Sequence, residues 1–138
     1  MNVGDELGPS SWFEMSQSRI DAFADATEDR QSIHVDPRLA AAGPFGTTVA
    51  HGLLTLSLLP AALFELAPAG GTIAVNYGLN RVRFPAPVPA GSRVRASFRV
   101  ESVEPVEGGE QVIFAADVEH EGGGKPVCIA ELIFRYVG

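Results

Sequence analysis

The segment 50–66 constrains the fold more than any other part of the chain. It is predicted to be helical, and its leucines point in every direction around the helix axis. A helix that is apolar on all sides has to be buried on all sides. Pro60 lies inside this segment and should kink or break the helix, because proline lacks the N–H that a helical hydrogen bond needs. We therefore expect the rest of the chain to wrap around a buried, locally interrupted helix.

The second half of the chain is predicted to supply a sheet. Within 92–103, Val94, Ala96, Phe98 and Val100 alternate with polar residues, which is typical of a strand with one buried and one wet face. Glycine-rich segments between the later strands are typical of hairpin turns. The remaining predicted strands are 72–84, 111–119 and 126–137. An antiparallel sheet around one helix is the simplest arrangement, and its open edge favours dimerisation.

The first half predicts two further helices. One covers 18–27, with Ser16 or Ser18 as its N-cap. The other is short and begins at Asp36, a good N-cap, followed by Pro37, which suits the first helical position. Helices followed by strands in 138 residues indicate one α+β domain spanning 1–138.

Charge and composition narrow the class of protein. The net charge is −7 at pH 7, which argues against a nucleic-acid partner. The N-terminus lacks the basic and apolar segments of a secretory signal, and the longest apolar run is too short to cross a membrane. The single cysteine, Cys128, lies in an apolar run and is expected to be a buried, inert thiol. We expect a cytoplasmic protein that does not bind membranes.

Five arginines fall in one short stretch of this acidic chain. They are either solvated residues on strand faces or a local positive patch for an anionic ligand. The five are Arg81, Arg83, Arg93, Arg95 and Arg99.

The polar segment 27–34 is the first candidate for chemistry. It lies between two predicted helices and contains Asp29 and His34, which a bent loop can bring together. A carboxylate and an imidazole that face one water can each move a proton near neutral pH. The alternative is that both are ordinary surface residues.

His51 and Gly52 open the central helix and form the second candidate. The first N–H groups of a helix have no internal partner and can hold a developing negative oxygen, and glycine lets a ligand approach closely. The alternative is a tight helix entry without function. A metal site from His34, Asp36 and His51 is not expected, because the tight spacing of a metal motif is missing.

Several of these segments resemble one known family. Residues 26–37 resemble the hydratase motif of the MaoC-like dehydratases, the (R)-specific enoyl-CoA hydratases. Segments 40–46 and 50–56 follow in the family's order, and 76–88 is similar to the branch related to nodulation protein N. The resemblance implies a hotdog fold, a homodimer and a trans-2-enoyl-CoA substrate that is hydrated to 3-hydroxyacyl-CoA, or the reverse dehydration. The thioester is the substrate, and no cofactor is implied.

The resemblance also implies roles for individual residues. Asp29 and His34 match the catalytic pair, and Gly52 matches the glycine whose N–H holds the thioester oxygen. Gln31 stands where asparagine is usual, to orient the pair or the water. His51 and Asn80 join Gly52 and Gln31 as implied substrate-binding residues.

Three departures from the family pattern stand out. Glu28 replaces a glycine and should exclude an easy left-handed backbone there. Ser32 replaces a more rigid or bulky residue, and Pro60 lies near where some members carry a serine that steadies the aspartate.

Two alternative functions remain open. An acyl-CoA thioesterase of this fold would carry an acidic residue on the central helix, where the first one is Glu65, near the far end. A non-catalytic acyl-thioester-binding subunit is the other alternative, and Glu28 is the feature that supports it.

Overall fold

An antiparallel sheet of six strands carries the helices of the chain on one face. The computed structural model describes residues 1–138, and the strands lie in the order β1-β4-β5-β6-β3, with β2 also paired to β4. In chain order the elements are β1 Glu6–Leu7, β2 Phe13–Glu14, α1 Gln17–Thr27, α2 Ser32–Val35, α3 Pro37–Ala41, α4 Gly52–Ser57, α5 Leu59–Leu66, β3 Ile73–Arg83, β4 Arg93–Val106, β5 Gly109–His120 and β6 Cys128–Val137. The predicted α+β class and the four long strands are confirmed. The short strands β1 and β2 were not predicted.

The core lies between the sheet and the central helices. The alternating apolar residues predicted for β4 are all buried. On β6 every second residue from Cys128 to Phe134 is buried. Phe98, Phe114 and Phe134 pack edge to face, with ring centroids 6.3 and 6.5 Å apart. Each such side chain contributes roughly 1.5–3 kcal/mol when fully buried. This packing fixes the sheet against α5 and so fixes the start of α4, where the site lies.

The central helix is interrupted where proline was predicted to break it. α4 ends at Ser57, α5 begins at Leu59, and Pro60 occupies the first turn of α5, where its missing N–H has no cost. The expectation of burial on all sides is wrong at Leu53, which is 60% exposed. Its side of α4 faces away from the sheet, and one chain has no second layer to cover it.

The loop after α1 differs from the sequence prediction. Glu28 has φ +64°, the only positive φ at a non-glycine residue, so it adopts the left-handed conformation that the side chain was expected to exclude. The helix end requires this turn whichever residue occupies it. Ser32–Val35 forms a short helix that was not predicted, because four residues carry too little periodicity to detect. The predicted caps are confirmed: Ser16 accepts from the Arg19 N–H, and Asp36 accepts from the N–H groups at the start of α3.

The strand β3 forms an edge of the sheet and carries exposed apolar side chains. It pairs only with β6. Four large apolar residues along it are 42–67% exposed: Ile73, Val75, Tyr77 and Leu79. An open edge with exposed apolar side chains is typical of a surface that another chain covers.

Most of the clustered arginines are paired with glutamates. Arg93 contacts Glu121 and Arg99 contacts Glu101, and Arg95 bonds Glu119. Arg81 and Arg83 make no ion pair. Two of these ion pairs connect β4 to the segment at the end of β5, and the third lies within β4. No helix of the chain has the length and hydropathy that a membrane span needs.

Candidate active site

Three separate elements bring together Asp29, His34 and His51. Asp29 comes from the loop after α1, His34 from α2, and His51 is the N-cap of α4. One ligand atom of each side chain lies within 4.8 Å of those of the other two. Asp29 is partly buried, whereas both histidines are buried. The pair expected from the sequence thus lies together, with His51 as a third member.

The hydrogen bonds of His34 fix its tautomer. Its Nδ1 lies 2.7 Å from the Val49 carbonyl oxygen. A carbonyl only accepts, so Nδ1 carries the hydrogen and Nε2 keeps a free lone pair. The main chain of His34 is held as well, because Gln17 Nε2 donates to its carbonyl over 2.7 Å. His34 therefore presents a fixed proton acceptor.

His51 is oriented the opposite way. Its Nε2 donates to the Asp29 carbonyl oxygen over 2.9 Å, which leaves the lone pair on Nδ1. That Nδ1 is buried and has no protein partner. The ring stacks on His34 with centroids 3.8 Å apart and planes 20° apart, and Phe23 lies against it at 4.9 Å. Nε2 and the ring face of His51 are thus occupied by protein contacts, whereas Nδ1 is not.

The start of α4 offers free main-chain donors. The N–H groups of Leu54 and Thr55 both donate to the His51 carbonyl, whereas those of Gly52 and Leu53 have no protein acceptor. A Cβ on Gly52 would lie 2.8 Å from the Phe84 ring. A side chain at position 52 would therefore force the Phe84 ring to move.

A cavity of about 340 Å³ adjoins this group. Its lining includes His34, Gly52 and Thr55, and the other lining side chains are apolar, among them Phe45 and Phe84. Asp29 is not part of the lining. It lies close to His34, which does line the cavity. A groove of about 460 Å³ near Glu6, Arg99 and Asp117 is larger, but it contains none of the site residues and is lined mainly by polar surface.

Sequence reasoning missed the apolar part of the cavity. Ile33, Phe45 and Phe84 come from three separate segments, and nothing local in the sequence signals that they meet. Thr55 could have been predicted, because it lies three residues after Gly52 and so on the same face of α4.

Two expected site residues lie apart from this group. Gln31 is exposed and its side chain makes no hydrogen bond; only its main-chain N–H approaches Asp29 Oδ1, at 3.4 Å. Asn80 is exposed on β3 and does not line the cavity. Neither contacts the Asp29–His34 pair through its side chain.

The ligand atoms of Asp29, His34 and His51 lie close enough together for the group to be considered as a metal site, but its contacts are hydrogen bonds and ring stacking. Asp36, considered above as a ligand, caps α3 instead. Zinc sites place their donors tetrahedrally around the ion at about 2.0–2.2 Å. Two imidazoles stacked nearly in parallel have in-plane lone pairs that do not converge on such a point.

The fold and site together define a hotdog-fold enzyme of the hydratase and dehydratase class. The family model described as "MaoC like domain" matches residues 1–122, and the chain belongs to this family. It is 53% identical over 137 residues to 3-hydroxyacyl-thioester dehydratase Z of Mycobacterium tuberculosis, which covers 98% of this chain and 91% of that protein.

Two further comparisons agree. The chain is 46% identical over 136 residues to Nodulation protein N of Rhizobium leguminosarum bv. viciae, covering 95% of this chain and 84% of that protein. The solved structure of unliganded R-hydratase PhaJ1 from Pseudomonas aeruginosa matches with a TM-score of 0.82 at 25% identity, over 99% of this chain and 83% of that chain. The predicted family, its nodulation protein N branch and the hotdog fold are confirmed.

Proposed function

We propose that this enzyme hydrates trans-2-enoyl-CoA to (R)-3-hydroxyacyl-CoA and catalyses the reverse dehydration. Asp29 and His34 are the proposed catalytic pair. The observation that carries the proposal is that a carboxylate oxygen of Asp29 and a ring nitrogen of His34 lie within 4.8 Å of each other, beside a largely apolar cavity that His34 lines. The names of the relatives, a 3-hydroxyacyl-thioester dehydratase and (R)-specific enoyl-CoA hydratases, support the substrate class.

The separation of the pair suits one bridging water. A water that makes two hydrogen bonds of about 2.8 Å spans partners up to about 5 Å apart. His34 Nε2 has the lone pair to accept a proton from it, and the Asp29 carboxylate supplies a second acceptor. Because the two groups share their protons, neither is assigned as the sole base.

The addition balances without any other reagent. As the water oxygen bonds to C3, its proton passes to the pair, and the C2–C3 π electrons shift toward the thioester carbonyl. The pair then returns a proton to C2 on the same face. The transient charge on the thioester oxygen is held by the free Gly52 N–H. Donors of this kind lower the activation free energy by roughly 3–4 kcal/mol.

The test is a matched set of substitutions assayed for crotonyl-CoA hydration. Asp29→Asn and His34→Gln should each lower kcat by about 10²–10⁴-fold, the usual contribution of general acid–base groups. Asp25→Asn and His120→Gln make the same chemical changes outside the site and should stay near wild type. Circular dichroism checks the fold. Near wild-type turnover in both site variants would remove the mechanism.

We also propose that the enzyme is a homodimer assembled along β3. The open strand edge, together with the exposed Ile73, Val75 and Tyr77, supports this arrangement. Light scattering should give twice the mass of the chain, and Val75→Lys should shift it toward the monomer. A wild-type monomer at micromolar concentration would contradict the proposal.

The structure does not favour the thioesterase or the non-catalytic binding subunit, the two alternative functions considered above. Both carboxylate oxygens of Glu65 accept hydrogen bonds from Ser11 at 2.8 Å, so this residue anchors the N-terminal segment and is not free to activate water for a thioesterase. Glu28 keeps the left-handed turn that glycine would adopt, so the backbone change expected from this departure, which supported the binding-subunit alternative, does not occur.

A further inference from the structure

We propose that His51 is a positioning residue whose one ring holds both members of the catalytic pair. It does so through a hydrogen bond to the main chain of Asp29 and through stacking on His34. This inference rests on the proposed function and changes the role of His51, which the family resemblance placed among the substrate-binding residues.

His51 is well placed to act as an anchor. It is 3% exposed and caps α4, and its carbonyl accepts from the N–H groups of Leu54 and Thr55. Leu54 and Thr55 are themselves buried. The backbone of His51 is therefore tied to the core, and its ring transmits that fixed position to the loop.

The hydrogen bond to Asp29 is the strongest restraint on that residue. The Asp29 carbonyl lies 2.9 Å from His51 Nε2. The other hydrogen bonds of Asp29 are local and long, both 3.4 Å: one joins its N–H to Thr27 Oγ1, the other its Oδ1 to the Gln31 N–H. The hydrogen bond with His51 is thus the only hydrogen bond that ties Asp29 to a distant part of the chain.

The stacking contact restrains His34 in a different way. The hydrogen bond from Nδ1 to Val49 fixes one point of the His34 ring, but the ring plane still needs a support. The parallel His51 ring at 3.8 Å supplies it. Together the two contacts set the direction in which the Nε2 lone pair points, which a bridging water requires.

Two substitutions separate these contacts. His51→Phe keeps a stacking ring and removes the donor to Asp29, whereas His51→Gln keeps an amide donor and removes the ring. Because His51 does not line the cavity, each variant should lower kcat by about 10-fold or more and leave KM within about threefold. His120→Gln is the control for loss of a histidine elsewhere.

Double variants test whether His51 acts through the pair. Adding His51→Phe to Asp29→Asn, or His51→Gln to His34→Gln, should cause little further loss, because the group that each contact positions is already disabled. If one His51 variant does not fold, the other with its double variant decides the question.

Three results would overturn the role of His51. They are kcat within twofold of wild type in the folded His51 variants, a loss confined to KM, or losses that multiply fully in the double variants. The proposed function fails separately, when Asp29→Asn and His34→Gln themselves retain activity.

Discussion

The left-handed backbone at Glu28 allows a direct test of the loop geometry. A non-glycine residue in this conformation costs about 1–2 kcal/mol, and glycine avoids that cost. Glycine also gives the unfolded chain more freedom, which offsets about 0.5–1 kcal/mol. We therefore expect Glu28→Gly to raise the free energy of unfolding by about 0.5–1 kcal/mol.

The expected thermal shift follows from the chain length. With an unfolding entropy of about 2.1 cal/mol/K per residue for 138 residues, this gain in stability corresponds to a Tm increase of about 2–3 °C for Glu28→Gly. Differential scanning calorimetry measures it directly.

Glu28→Ala is the matched control. It removes the same carboxylate but keeps a Cβ in the left-handed region, so it should give no comparable gain. If alanine stabilises the protein as much as glycine, the effect comes from removing the charge, and the argument from backbone strain is refuted.

Two further predictions concern buried groups. Thr55 Oγ1 is buried without a protein partner, so Thr55→Val should raise the stability of the ligand-free protein by about 1 kcal/mol; chemical denaturation measures this, and a loss of stability would contradict it. Burial, with a smaller effect from the charge of Asp117, raises the pKa of Cys128 from 9.0 to about 11. The unfolded thiol ionises first, so wild-type stability should fall as pH rises from 9 to 11, and Cys128→Ala should lack that part of the fall. If the free energy of unfolding falls by the same amount in both proteins between pH 9 and 11, this prediction is wrong.

The structural features that could be predicted from the sequence depend on residues close together in the chain. Pro60 interrupts the helix because its backbone lacks a donor, and Asp36 caps α3 because its carboxylate accepts the first helical N–H groups. The alternation in β4 identified its buried face because successive side chains point to opposite faces of a strand. Such features need only neighbouring residues.

The features that did not follow depend on residues far apart in the chain. The pairing of Arg93 with Glu121 requires the register of two strands. The exposure of Leu53 depends on how far one sheet reaches around α4. The site shows the same division, because Asp29 and His34 are only five residues apart and their closeness could be predicted from the sequence.

The contacts of His51 needed the fold. The sequence does not indicate which nitrogen of the His51 ring faces the Asp29 carbonyl. The bond from His51 to Asp29 and its stacking on His34 join segments that are separated by more than a dozen residues.

Hydration of crotonyl-CoA, with the configuration of the product determined by chiral analysis, tests the central claim most directly. We expect the wild-type enzyme to form (R)-3-hydroxybutyryl-CoA, and the Asp29→Asn and His34→Gln variants to form almost none while remaining folded. Formation of the (S) product, release of free coenzyme A without hydration, or undiminished turnover in both variants would contradict it.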